Sequence, residues 1–139
     1  MNRQFLISGI VISILALVFG GAIHGGLLAA DYTALGSMMR TPEDATNHFQ
    51  WQILAHIFMG FAMTWIYRQG VDAAQPPLMQ GVRFGLAVVC LFIVPMFLIY
   101  YAVAPFPPAL VVKQIAFETV GTTLLGIATA YLNRPPATA

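Results

Sequence analysis

Three side chains in this sequence are out of keeping with the residues around them. Glu118 lies in the apolar stretch Ala109 to Leu132, His24 in Phe5 to Ala30, and His56 in His48 to Tyr67. A carboxylate mid-helix in hydrocarbon costs about 2.5 to 3.5 kcal/mol on insertion scales, so it needs a partner or a task. Two imidazoles and an acid also make a versatile set. Burial raises a carboxyl pKa and lowers that of histidine, so a neutral pair sharing a proton is a sensible ground state. Imidazole and carboxylate suit zinc, iron or copper, which makes His24, His56 and Glu118 a candidate transition-metal set. Two histidines on two helices could ligate haem from both faces, with Gly20, Gly21, Gly25, Gly26 and Gly60 leaving room for a flat macrocycle. A small organic ligand such as a quinone is a further candidate. Polar glue between helices is the structural alternative. No HExxH, Walker, nucleophile-elbow or Rossmann pattern accompanies the three residues.

The elements that must position them follow from composition. Of 139 residues, 59% are hydrophobic and 8% charged, against about 25% charged in a soluble domain. Too few polar side chains remain to cover a water-facing surface, so most of the chain must face a lipid bilayer. The formal charge of +1, with no basic patch, argues against a nucleic-acid partner. Cys90 is the only cysteine, which rules out an intrachain disulfide and makes it a small packing hydrophobe.

Four stretches approach the roughly 20 apolar residues needed to cross a hydrocarbon core. They run approximately over residues 5–30, 48–67, 84–103 and 109–132, and predict an all-α, four-helix transmembrane bundle forming one domain over residues 1–139. The breaks carry turn chemistry: Thr41-Pro42-Glu43-Asp44, Pro76-Pro77, and the Pro-rich hairpin Ala104 to Pro108. Asn133-Arg134-Pro135-Pro136 ends the last helix ahead of a short disordered tail. The first stretch is twice too long for a signal peptide and contains His24, so it reads as a retained helix. Arg3, Arg68, Arg83 and Arg134 fall on one side, with only Arg40, and Lys113 a turn inside its helix, toward the other. The positive-inside rule then puts both termini in the cytoplasm and Asp31, Glu43 and Asp44 in a solvated loop outside.

Residues three or four apart share a helix face. The first helix presents Gly9, Ser13, Ala16, Gly20 and His24; the second His48, Gln52, His56, Gly60 and Thr64; the last Gln114, Glu118, Thr122, Gly126 and Ala130. Such small and polar stripes are the faces by which helices associate in lipid. At 1.5 Å per residue, His24 lies roughly 10 Å, His56 roughly 14 Å and Glu118 roughly 15 Å from the outer ends of their helices. Pro95 reaches a similar depth and is expected to kink its helix and free the Leu91 carbonyl. His48, Gln52, Lys113 and Gln114 line an approach to this layer from outside. Gly21-x-x-x-Gly25 and Gly81-x-x-x-Gly85 match the small-residue contact motif.

Gly21-Ala22-Ile23-His24-Gly25, Arg68-Gln69-Gly70 and Leu98-Ile99-Tyr100-Tyr101 with its following prolines give a layout that resembles small, uncharacterised four-helix bacterial inner-membrane proteins. The resemblance implies location and topology only. The expected function is that of a non-enzymatic accessory or scaffold subunit, working as a homo-oligomer or in a larger membrane complex. The alternative is a ligand-handling protein binding a metal, haem or a proton-linked solute at His24, His56 and Glu118. An intramembrane enzyme is disfavoured because no nucleophile accompanies the set.

Overall fold

The computed structural model describes residues 2–134, and the tail expected after Arg134 lies outside them. The described residues are helical, with turns and no strand. Helix α1 (Arg3–Gly20) opens on the Asn2 side chain, which accepts from the Gln4 amide, and runs unbroken into a π-helical stretch, Gly21–Leu27. The four glycines Gly20, Gly21, Gly25 and Gly26 hold an α-helix weakly, which favours the wider winding there. Leu28 turns the chain into α2 (Ala29–Ala34). A turn at Gly36–Met38 leads to α3 (Pro42–Asn47), capped by Thr41 with Pro42 in its first turn.

Helix α4 (Phe49–Gln69) returns to the end carrying Arg3. Helix α5 (Pro77–Val88), a π-helical stretch Val89–Ile93 and α6 (Val94–Val103) form a single rod that starts at Pro77, earlier than the apolar run suggested. The π stretch directly precedes Pro95. The rod absorbs the missing proline N–H by widening its winding one turn earlier. Cys90 in this stretch is exposed on the rod's outer face rather than packed inside. After the extended hairpin at Ala104, α7 (Pro108–Leu132) closes the fold.

Three of these rods, Arg3–Leu27, Pro77–Val103 and Pro108–Leu132, are long and apolar enough to cross a membrane. Helix α4 has the length, at 21 residues, but Gln50, Gln52, His56 and Thr64 dilute its apolar character. Neighbouring rods run antiparallel: α1 packs mainly on α4 and α5 on α7, and α1 against α7 joins the two pairs. Large apolar side chains such as Leu91, Val103 and Phe58 point outward, as a lipid-facing surface requires.

The pairings rest on glycines. A Cβ on Gly60 would run into Ser13 and lie 2.7 Å from the Gly9 carbonyl, so α4 meets α1 backbone to backbone. On the other pair, a Cβ on Gly85 would sit 2.6 Å from the Thr123 Cα, and one on Gly126 2.7 Å from the Gly85 Cα. Gly81 and Gly85 thus make the contact their spacing predicts. Gly21 and Gly25 do not, since among the described residues nothing lies within 4 Å of a Cβ placed on either. Between the two ends of the α1–α4–α7 seam lies a sealed apolar layer of Ile12, Ala16, Met63 and Leu125.

Candidate functional site

The site lies where the π stretch after α1 meets α7. His24 Nε2 is 2.7 Å from Glu118 Oε1, and His24 Nδ1 is 2.7 Å from the Tyr32 hydroxyl. The buried Gln114 donates from Nε2 to the same hydroxyl at 2.9 Å. Alongside, Lys113 Nζ holds both carboxylate oxygens of Asp31 at 2.8 and 3.0 Å. Four side chains therefore form one hydrogen-bonded line across two rods and α2.

Packing explains why they meet. Gly121 keeps α7 slim one turn from Glu118, so that Ile23 and Phe19 of α1 come close. Ile23, Leu28 and Leu110 form a buried cluster against which Tyr32, Leu35, Phe106 and Phe117 pack, and this seats α2 over the start of α7. The Tyr32 ring lies tilted to that of His24 with centroids 5.7 Å apart. Neither ionisable partner is sealed in: the side chains of His24 and Glu118 are 37% and 17% exposed.

The direction of each bond follows from donor and acceptor inventories. With Glu118 ionised, it can only accept, so His24 carries its proton on Nε2 and its Nδ1 accepts from Tyr32 O–H. Tyr32 oxygen in turn accepts from Gln114. Adding one proton reverses the line. His24 Nδ1–H then donates to Tyr32, whose hydroxyl swings away, and Nε2 accepts from a protonated Glu118. Both His24 nitrogens, the bonded Glu118 oxygen and the Tyr32 oxygen keep a partner in both arrangements, and only the Tyr32 O–H gives up its acceptor. Burial pushes the Tyr32 phenol above its ordinary value of 10.0, against the opposing Gln114 hydrogen bond and with the charges of Glu118 and Asp31 adding to the rise. Tyr32 therefore stays protonated at neutral pH and acts by rotating its O–H, not by ionising.

Of the three intruders, the structure brings two together. His56 stands apart: its Nδ1 is 2.6 Å from the Gln52 carbonyl one turn back, and its Nε2 would be 3.0 Å from a Cβ on Gly20. Among the described residues no group of three or more His, Cys, Asp or Glu is placed to hold a metal ion. Haem ligation by His24 would require breaking one of two short bonds, since both ring nitrogens are engaged. Of the expected approach residues, Gln114 and Lys113 belong to the network. His48 instead faces Asp44, with Nδ1 2.7 Å from its carbonyl and 3.2 Å from its carboxylate, and Gln52 is exposed.

Two members were not apparent from the sequence. Tyr32 reads as an interfacial aromatic and Asp31 as a loop acid; both follow from the turn at Leu28, after which α2 places Tyr32 against the ring of His24 eight residues back. A second polar group, away from the site, ties the terminal end. Asn133 donates from Nδ2 to Ser8 Oγ at 2.7 Å, Ser8 and Thr64 hydroxyls lie 3.3 Å apart, and Gln4 Nε2 donates to the Leu132 carbonyl at 3.0 Å. Comparison with protein-family models, curated proteins and solved structures gives no match to this chain, so the chemistry of the site is read from its own geometry.

Proposed function

We propose that the chain is a four-helix transmembrane protein of a bacterial inner membrane, with both termini cytoplasmic, and that it serves as a small non-enzymatic subunit carrying a proton-exchanging relay on its outer side. Three rods of spanning length and α4 running beside them support the first part. Arg3, Arg68, Arg83 and Arg134 at the terminal end support the orientation. The observation that carries the relay is the line Gln114, Tyr32, His24, Glu118 with links of 2.9, 2.7 and 2.7 Å. Its two proton arrangements keep both His24 nitrogens and the Glu118 carboxyl bonded. A proton arriving at Tyr32 enters His24 at Nδ1 as another leaves Nε2 for the Glu118 carboxylate. The sealed layer of Ile12, Ala16, Met63 and Leu125 beneath favours exchange with one side over conduction through the bundle. Open space in front of Gly21 and Gly25 leaves a face on which a partner helix or a second copy can pack.

Infrared difference spectra of the reconstituted protein across pH test the relay. A carboxyl band that appears on acidification and is missing in Glu118→Gln is expected, with its frequency changed in Tyr32→Phe. A carboxyl signal insensitive to pH in the intact protein overturns the relay. Labelling of single cysteines placed at Ala45 and Ala73 tests orientation: the first is expected to react from outside and the second only after permeabilisation.

A further inference from the structure

At the terminal end, a cleft of about 340 Å³ opens between the end of α4 and the start of α5. Tyr67 and Phe84, packed edge to face with centroids 5.4 Å apart, form its apolar side. Asp72 and Arg83 also line it, and so do Gln75 and Gln80. Three features mark it as built for a ligand. The Tyr67 ring is buried, with the residue 6% exposed, while its hydroxyl reaches the surface of the cleft and makes no hydrogen bond among the described residues. Asp72 and Arg83 carry opposite charges in one cleft but form no ion pair with each other or with any described residue. The two glutamines hold them apart. Gln80 Nε2 donates to the Asp72 and Gln75 carbonyls at 2.7 and 3.0 Å, its Oε1 accepts from the Asp72 amide at 2.9 Å, and Gln75 Oε1 accepts from Arg83 Nη1 at 3.1 Å.

A loop that keeps a cation and an anion separate within one cleft complements a molecule with the reverse pair of charges. Arg83 and the Tyr67 hydroxyl are donors, and suit phosphate oxygens. Asp72 Oδ1 is taken by the Ala74 amide at 2.9 Å, which leaves Oδ2 for an ammonium. Exposed Ile66 and Trp65 continue the surface beside the cleft on α4, where acyl chains would lie. We infer that this cleft binds the phosphoethanolamine headgroup of a membrane phospholipid. Placing the cleft at headgroup level rests on the transmembrane reading above; the charge complementarity does not.

The full chain in detergent, titrated with short-chain phosphatidylethanolamine, phosphatidylglycerol and free phosphoethanolamine and followed by native mass spectrometry, tests the assignment. Phosphatidylethanolamine is expected to be retained in preference to phosphatidylglycerol, and free phosphoethanolamine to bind more weakly than either lipid. Arg83→Gln should weaken retention at least about tenfold, and Tyr67→Phe about three- to fivefold. Asp72→Asn should keep the lipid but bring the two lipids to within about twofold of each other. Arg83→Lys, which preserves the charge, should fall between wild type and Arg83→Gln and guards against misfolding. Equal or tighter binding of phosphatidylglycerol to the intact protein, unaltered retention in a folded Arg83→Gln, or binding of the free headgroup as tightly as the lipid overturns the proposal. Labelling of the Ala73 cysteine from outside would instead overturn the orientation, while a headgroup preference in detergent could stand.

Discussion

The His24–Glu118 line and the Ser8–Thr64–Asn133 cluster lie at opposite ends of one helical seam: the first ties the α1 rod and α2 to α7, the second ties α1 to both α4 and the end of α7. The second uses neutral hydroxyls and an amide, all buried: Ser8 is 1%, Thr64 0% and Asn133 6% exposed. The first uses a carboxylate and an imidazole, and neither is fully enclosed. Solvation accounts for the difference. A hydroxyl with one good partner loses little on leaving water, whereas a charge loses a great deal unless it can neutralise or stay partly wet. The cluster is thus fit for holding helices together, and the line for exchanging protons with its surroundings. The apolar layer between them keeps the two tasks separate.

Gly60→Val is expected to disrupt both ends at once and to have the largest effect. Its side chain would run into Ser13 and the Gly9 carbonyl, which cannot move without parting α1 from α4. Overpacking against backbone should cost about 3 kcal/mol, read as lost thermal stability in detergent. If this substitution left the carboxyl band of Glu118 intact while removing the Ser8–Thr64 contact, the two ends would be less coupled than the shared seam implies.

Tyr32→Phe acts on the ionisable end alone. It leaves the buried Gln114 amide and His24 Nδ1 without the hydroxyl, at about 2 kcal/mol. It also removes a pH dependence whose sign follows from burial. The folded phenol holds its proton more tightly than the unfolded one, so stability is level below pH 10.0 and falls as pH rises past it. Chemical unfolding curves should show a smaller alkaline loss in the variant than in the intact protein.

Thr64→Val is the matching change at the neutral end. It removes one hydroxyl pair at about 1 kcal/mol, and because no group there titrates, the loss should be constant between about pH 5 and 9. A pH-dependent loss would mean that the neutral cluster is electrically linked to the site.

These contrasts also mark what was legible beforehand. The inward stripes on α1, α4 and α7 could be read from the spacing of small and polar residues. Gly9, Ser13, Ala16, Gly60, Thr64, Gln114, Thr122, Gly126 and Ala130 are all buried, whereas Gly20, His24, His48, His56 and Glu118 are only partly so and Gln52 is exposed. The meeting of His24 with Glu118 followed from those stripes. His56 did not join because its Nδ1 is satisfied within its own helix by Gln52, so burial creates no demand for a partner across the seam. Tyr32 was hidden because the chain re-forms a short helix, α2, after the turn at Leu28, where the apolar run stops. The neutral cluster was hidden because Asn133 reads only as a helix stop, while Ser8 lies one residue from the stripe through Gly9. Periodicity shows which face turns inward; it does not show which polar atoms are already satisfied locally.

The smallest expected effect concerns the short helices beyond the ionisable end. Arg40 Nη1 lies 2.6 Å from Asp44 Oδ2, and that hydrogen bond is the main cause holding the Asp44 carboxyl below its ordinary 3.8. The folded acid gives up its proton more readily than the unfolded one. The contribution is therefore complete above pH 3.8 and fades as pH falls through the folded value. Asp44 is exposed, so salt screens the pair and the effect stays local to α3. Protection of the α3 amides, taken relative to the intrinsic exchange rate at each pH, should fall on acidification in the intact protein, and Asp44→Asn should show that lower protection already at neutral pH. The Tyr32 and Glu118 signals should not change with it, because α2 is anchored separately by the Asp31–Lys113 pair and the Leu28–Leu110 contact. If Asp44→Asn shifts the Glu118 carboxyl band, α3 is part of the relay's mouth, and the ionisable end extends further into the loop than its hydrogen bonds indicate.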